Sequence, residues 1–176
     1  LAGRGASATA FTDGPRLDAV LEGRALLAQK ARSFALAARF LPGGVRDELA
    51  IVYGFCRLAD DMADEAPSRA AARAALSDLV AEFDGRCPAR PLVAALRDVV
   101  RRAPRGEEVV RLLLEGILAD LDEVRMRNDE ELLRYCYRVA STVGLLMCGV
   151  LGVERRDALP FAVDLGIAMQ LSNIVR

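Results

Sequence analysis

Tyr53-Gly54-Phe55-Cys56-Arg57-Leu58-Ala59-Asp60-Asp61-Met62-Ala63-Asp64-Glu65 is the stretch on which the reading of this chain turns. At about 100° per residue, Tyr53, Arg57, Asp60 and Asp64 fall within roughly a 60° sector of one helix face. Ile51, Phe55, Leu58 and Met62 have the same spacing on nearly the opposite face. Such a helix can pack its apolar side on a core while its other side holds a phenol, a guanidinium and two carboxylates in line. An ordinary surface helix has scattered charges there. The plain alternative is a solvated acidic face with one Arg57–Asp60 pair at i, i+3.

Carboxylates turned inward must be neutralised, because an unpaired buried charge costs several kcal/mol. A divalent cation does this. Mg²⁺ takes oxygen ligands and typically binds one or two protein carboxylates, with water and substrate phosphates in its remaining positions. Asp60 and Asp64, one turn apart, suit that role, and Asp61, rotated about 100° away, is the weaker ligand candidate. Arg57 beside them fits a phosphate on the same metal, since guanidinium recognises phosphate bidentately. The pattern therefore suggests a diphosphate site. The competing reading is that Arg57 pairs with Asp60 for structural reasons only.

The chain has 176 residues, 53% hydrophobic and 28% charged, enough for one domain with a real core. Its 24 basic and 25 acidic residues leave a net charge of -1, so no basic field exists to hold a polyanion and nucleic acid is not an expected partner. There is no histidine, which excludes Ser–His–Asp triads and Cys–His dyads, and with no Cys-x-x-Cys pair a zinc site is not expected either. Cys56, Cys136 and Cys148 sit in apolar helical patterns and read as buried small hydrophobes in a reducing compartment, which implies a cytoplasmic location. The longest apolar run, residues 139–153, is shorter than the roughly 18 to 20 residues that span a bilayer, and no secretory signal opens the chain.

Residues 1–15 are rich in Gly, Ser and Thr without periodicity and are expected to be loose. From Leu17 onward nearly every segment has a helical period and none alternates like a strand, so the fold class is all-α. Breakers place helices over about 17–40, 45–65, 68–84, 91–102, 106–127, 129–151 and from Asp157 to the end. Ser68 and Asn128-Asp129-Glu130-Glu131 have the form of N-terminal caps. Short connections between such helices imply a bundle.

At this point five blocks in order resemble the squalene/phytoene synthase family. They are Ser33-Phe34, Leu41-Pro42, the Tyr53–Glu65 stretch, Tyr135-Cys-Tyr137-Arg-Val-Ala-Ser-Thr-Val-Gly144, and Gln170-Leu-Ser-Asn173-Ile-Val-Arg176. The resemblance covers about residues 30 to 176. It implies an isoprenoid synthase helical bundle whose members join two allylic prenyl diphosphates head to head through a cyclopropyl intermediate, with Mg²⁺ as cofactor. Asp60 and Asp64, with Asn173, would ligate the metal. Tyr53, Arg57, Arg32 and Ser33 would contact diphosphate, Gln170 and Arg176 would touch substrate, and Phe34 and Tyr137 would flank it.

The resemblance also implies a second set of acids directly after Arg176, where this sequence stops. The chain is therefore expected to be an N-terminal portion, residues 16–176, of a domain truncated at the C-terminus, and to be inactive by itself. Tyr137, Ser141, Gly144 and Cys148 form a stripe of mostly small side chains. Alone it favours close helix packing; the resemblance turns it into a channel for an apolar chain. Asp120 reads as a structural or supporting acid.

Phytoene formation from two C20 diphosphates is the leading expectation for the parent protein. Squalene, presqualene or dehydrosqualene formation from C15 diphosphates is the alternative, and a non-catalytic assembly role is the rival from another class. The Tyr-x-Phe-Cys-Arg lead-in argues against head-to-tail elongation or cyclisation. Lipid substrates and product imply peripheral contact with the inner membrane face, and oligomeric state is left open.

Overall fold

A computed structural model describes residues 13–103, 105–122, 126–153 and 155–176. Helix α1 (Asp13–Lys30) is followed by α2 (Arg32–Ala38), α3 (Gly43–Asp64), α4 (Arg69–Phe83), α5 (Pro91–Val100), α6 (Gly106–Asp120) and α7 (Asp129–Cys136). A π-helical segment (Tyr137–Ser141) joins α7 to α8 (Thr142–Val150), and a 3₁₀ turn (Arg156–Ala158) leads into α9 (Leu159–Ile174). Among the described residues there is no strand. The fold of the described residues is all-α, a bundle of helices, as the sequence reading expects.

The stretch from Tyr53 to Asp64 lies in the central helix, and its apolar face goes where the spacing puts it. Ile51 and Phe55 are fully buried, and Leu58 and Met62 pack against the same core. Helix α3 touches α1, α4, α5, α6 and α8. Its crossing with α1 is close enough to require glycine: a Cβ on Gly23 would meet the Ala50 carbonyl oxygen at 2.1 Å. Burial of Phe55 against Phe83, with ring centroids 6.3 Å apart, ties α3 to α4; emptying such a position typically costs about 3–5 kcal/mol.

Both expected caps form. Ser68 Oγ accepts from the Ala71 amide at 3.1 Å, and Asn128 Oδ1 accepts from the Glu131 amide at 2.9 Å. Glu131 also accepts from the Arg127 amide, one residue before the Asn128 amide that a reciprocal capping box would engage.

Three boundaries differ from the sequence reading. The expected looseness of residues 1–15 lies outside the described residues up to residue 12, and Gly14 and Pro15 are already helical. The missing Pro15 N–H falls among the donors that a helix start leaves unpaired anyway. The helix expected over 17–40 is broken at Ala31, whose φ of -138° is not helical, with no Gly or Pro there to signal it. Helix α6 ends at Asp120 rather than near 127.

Candidate active site

Five elements converge on one cleft. Helix α3 contributes Asp60, Ala63 and Asp64; α6 contributes Ile117 and Asp120; α7 and the π segment contribute Tyr135 and Val139; α9 contributes Gln170. Its volume is about 230 Å³, below the roughly 300–1,000 Å³ of pockets that enclose a drug-sized ligand. It has room for a cation and phosphate oxygens but not for two prenyl chains.

The polar groups are linked across the cleft. Tyr135 donates its hydroxyl hydrogen to Asp120 Oδ2 at 3.1 Å, and Gln170 Nε2 donates to Tyr135 Oη at 3.4 Å. Asn173 Nδ2 approaches Gln170 Oε1 at 3.5 Å from the next turn of α9. This chain of contacts fixes one wall, while Asp60 and Asp64 on α3 form the other.

Asp60 has solvent contact through the cleft, yet loss of hydration is the largest effect on it and pushes its carboxyl up to about 6. Arg57 opposes the shift, and Asp64, Asp61 and Asp120 add to it. Since 6 exceeds the ordinary 3.8, protonated Asp60 stabilises the metal-free fold, and that contribution is lost as pH rises through about 6. Above that pH the cleft carries charge without a matching cation. Burial likewise raises Asp120, with Tyr135 opposing and Asp64 assisting. Tyr135 is pushed up to about 12 by burial and the neighbouring Asp120, so it stays a hydroxyl donor.

The donor set suits Mg²⁺. Its acidic oxygens are three carboxylates, those of Asp60, Asp64 and Asp120, the first two one turn apart on α3, and their mutual repulsion is what a hard dication relieves. Among the described residues no three such side chains are clustered tightly enough to hold an ion alone.

Other residues singled out in the sequence sit elsewhere. Tyr53 and Arg57 lie on the same face of α3, two turns and one turn before the cleft respectively, close enough that Arg57 and Asp60 affect Tyr53 and Arg57 affects Asp60. Arg57 pairs with Asp61, not with Asp60 as the i, i+3 reading supposed. Arg32, Ser33 and Phe34 are exposed on α2, which packs on α1, and none lines the cleft; Phe34 is 56% accessible. Asn173 is exposed one turn beyond Gln170, and Arg176 is exposed after α9.

Tyr137 does not line the cleft; Tyr135 does. The stripe drawn from Tyr137 through Ser141 and Gly144 assumed a constant helical period, but residues 137–141 are π-helical. A π turn takes one more residue, which rotates the register by about 100°. The fully buried Cys136, five residues before the fully buried Ser141, shares its burial instead. The small-residue stripe is not a channel. Ser141 donates to the Val163 carbonyl at 2.7 Å, and Gly144 abuts Ala162 across the contact with α9. Asp120, read from the sequence as a structural or supporting acid, lines the cleft and accepts the Tyr135 hydroxyl hydrogen. The sequence signal for Tyr135 was its place at the head of the Tyr135–Gly144 block.

The profile of one protein family, squalene/phytoene synthase, matches residues 27–176. A 15-cis-phytoene synthase from Paracoccus sp. is 37% identical over 169 residues, covering 90% of this chain and 56% of the relative. A phytoene synthase from Rhodobacter capsulatus is 40% identical, covering 87% of this chain and 46% of the relative. The solved structure of a dehydrosqualene synthase in complex with ligand superimposes with a TM-score of 0.78 at 30% identity, covering 92% of this chain and 57% of the other. The chain thus spans about half the length of the curated relatives it matches.

Proposed function

Because the chain belongs to the squalene/phytoene synthase family, we propose that the full-length protein is a prenyltransferase that joins two allylic prenyl diphosphates head to head, gripping diphosphate at the Asp60–Asp64 cleft. The observation that carries this reading is the cleft: two carboxylates one turn apart facing Asp120, Tyr135 and Gln170 from three other elements. Asp60 and Asp64 would hold Mg²⁺, with Asn173 reaching it from α9. When bound, the metal would supply Lewis-acid stabilisation to the departing diphosphate.

The protein's own residues supply charge and orientation. Arg57 would take phosphate oxygens, assisted by Tyr53 one turn before it. Asp120 fixes Tyr135, and Gln170 fixes it from the other side, so a neutral hydroxyl stands at the cleft wall. Arg32, Ser33 and Arg176 are proposed as further diphosphate contacts, and Phe34 as a flank of the prenyl chain. An allylic cation must be kept from water, and the open cleft does not do so. Residues 16–176 are accordingly proposed to be the N-terminal portion of the synthase domain, the second acidic set and the rest of the enclosure belonging to sequence beyond Arg176.

The two relatives named phytoene synthase favour two C20 diphosphates as substrates and phytoene as product. The likeness to a dehydrosqualene synthase supports C15 diphosphates as the second reading. Lipid substrates and product favour peripheral work at a membrane face; no described helix is long and apolar enough to cross one.

The test is diphosphate release from an allylic prenyl diphosphate by the full-length protein. Asp60→Ala and Asp64→Ala are each expected to lower the Mg²⁺-dependent rate by on the order of 100-fold or more while helical circular dichroism is kept. Wild-type release in both variants contradicts the proposal.

A further inference from the structure

Arg57 stands between two carboxylates. Asp60 lies about 60° to one side of it around the helix and Asp61 about 40° to the other, so both are within reach at i, i+3 and i, i+4. One of them takes it: Arg57 Nη2 donates to Asp61 Oδ1, and no such contact is made to Asp60. The two acids then face different spaces. Asp61 lines an apolar groove between α3 and α4 with Leu58, Met62, Ala71 and Ala75, whereas Asp60 lines the acidic cleft.

The side chains of Arg57 and Asp61 are only 26% and 25% accessible, which makes this contact less screened than a surface pair. Arg57 Nε is buried with no hydrogen-bond partner among the described residues, so the guanidinium keeps donor capacity that Asp61 does not use.

We propose that Asp61 is a positioning residue: by holding Arg57 toward the groove side of α3 it keeps the guanidinium off Asp60, leaving Asp60 free for a divalent cation and Arg57 beside the diphosphate. The inference rests on the metal–diphosphate reading given above and adds to it a role for the middle acid of the motif. With Asp61 neutralised, the remaining carboxylate within one turn of Arg57 is Asp60. An Arg57–Asp60 pair would then compete with the cation for the same oxygens.

Mn²⁺ binding to the full-length protein in saturating inorganic pyrophosphate, followed by electron paramagnetic resonance, tests this without relying on turnover. Asp61→Asn is expected to weaken Mn²⁺ binding on the order of fivefold, the size of a modest ion pair that the metal must displace. In an Arg57→Gln background, where any loss of phosphate contact is already present, adding Asp61→Asn is expected to cause no further weakening, because no guanidinium is left to occupy Asp60. Unchanged binding in Asp61→Asn overturns the proposal. So does a further loss when Asp61→Asn is added to Arg57→Gln, since Asp61 would then be a ligand itself. A wild type that binds no Mn²⁺ overturns the metal reading and this inference together, whereas a wild type that binds alongside an unaffected Asp61→Asn overturns the inference alone.

Discussion

Tyr135 and Tyr137 stand two residues apart and have different work. Tyr135 is held between Asp120 and Gln170 at the cleft wall, and burial keeps its proton on. Tyr137 is the first residue of the π segment and is absent from the cleft lining. Tyr135→Phe is therefore expected to lower turnover at least tenfold, roughly the loss of one hydrogen-bonding group at a reacting centre, with the melting temperature nearly unchanged. Tyr137→Phe is expected to leave turnover within about twofold. Steady-state rates of the two full-length variants check this, and the reverse order contradicts the assignment. The acids and Arg57 were legible in the sequence because α3 keeps a constant period from Tyr53 to Asp64. Tyr135 was not, because a π turn leaves no mark in residue type and shifts the face of everything read across it. The choice of Asp61 over Asp60 by Arg57 was also hidden, since both spacings permit a pair.

The helix seams show why the small residues are where they are. A Cβ on Gly166 of α9 would meet the Ser141 Cα at 2.5 Å and its amide nitrogen at 2.6 Å, so only glycine allows this approach. Gln170, one turn further along α9, reaches Tyr135 because that approach is made. Gly166→Ala is expected to destabilise the fold by about 1–3 kcal/mol, as overpacking does, and to weaken turnover by moving Gln170 away. Gly44→Ala, at the start of α3 with nothing within 4 Å of an added Cβ, is expected to melt at or slightly above the wild-type temperature. Thermal unfolding of both variants measures the contrast, and equal melting points contradict it. The all-α class, the caps at Ser68 and Asn128 and the turn at Pro42 follow from local chemistry and were readable. The break at Ala31 was not, because no residue there resists a helix.

At the scale of the whole molecule, the described residues form a packed core around α3 and an open, acidic mouth beside it. Helix α9 packs its Gly166 side on Ser141, while Phe161, Leu165 and Met169 on its outer side remain exposed, Phe161 at 74%. The solved dehydrosqualene synthase structure, of which this chain covers 57%, shares the fold. Composition argued against nucleic acid as a partner and offered no histidine for catalysis, and it could not separate a C15 from a C20 substrate. That choice depends on the depth of a prenyl channel, which a cleft of about 230 Å³ does not contain. The measurement that bears most directly on the account is incubation of the full-length protein with Mg²⁺ and either geranylgeranyl or farnesyl diphosphate, followed by mass identification of the extracted lipid. A C40 hydrocarbon with the mass of phytoene from the C20 substrate is the predicted result; conversion of neither diphosphate to a head-to-head product contradicts it.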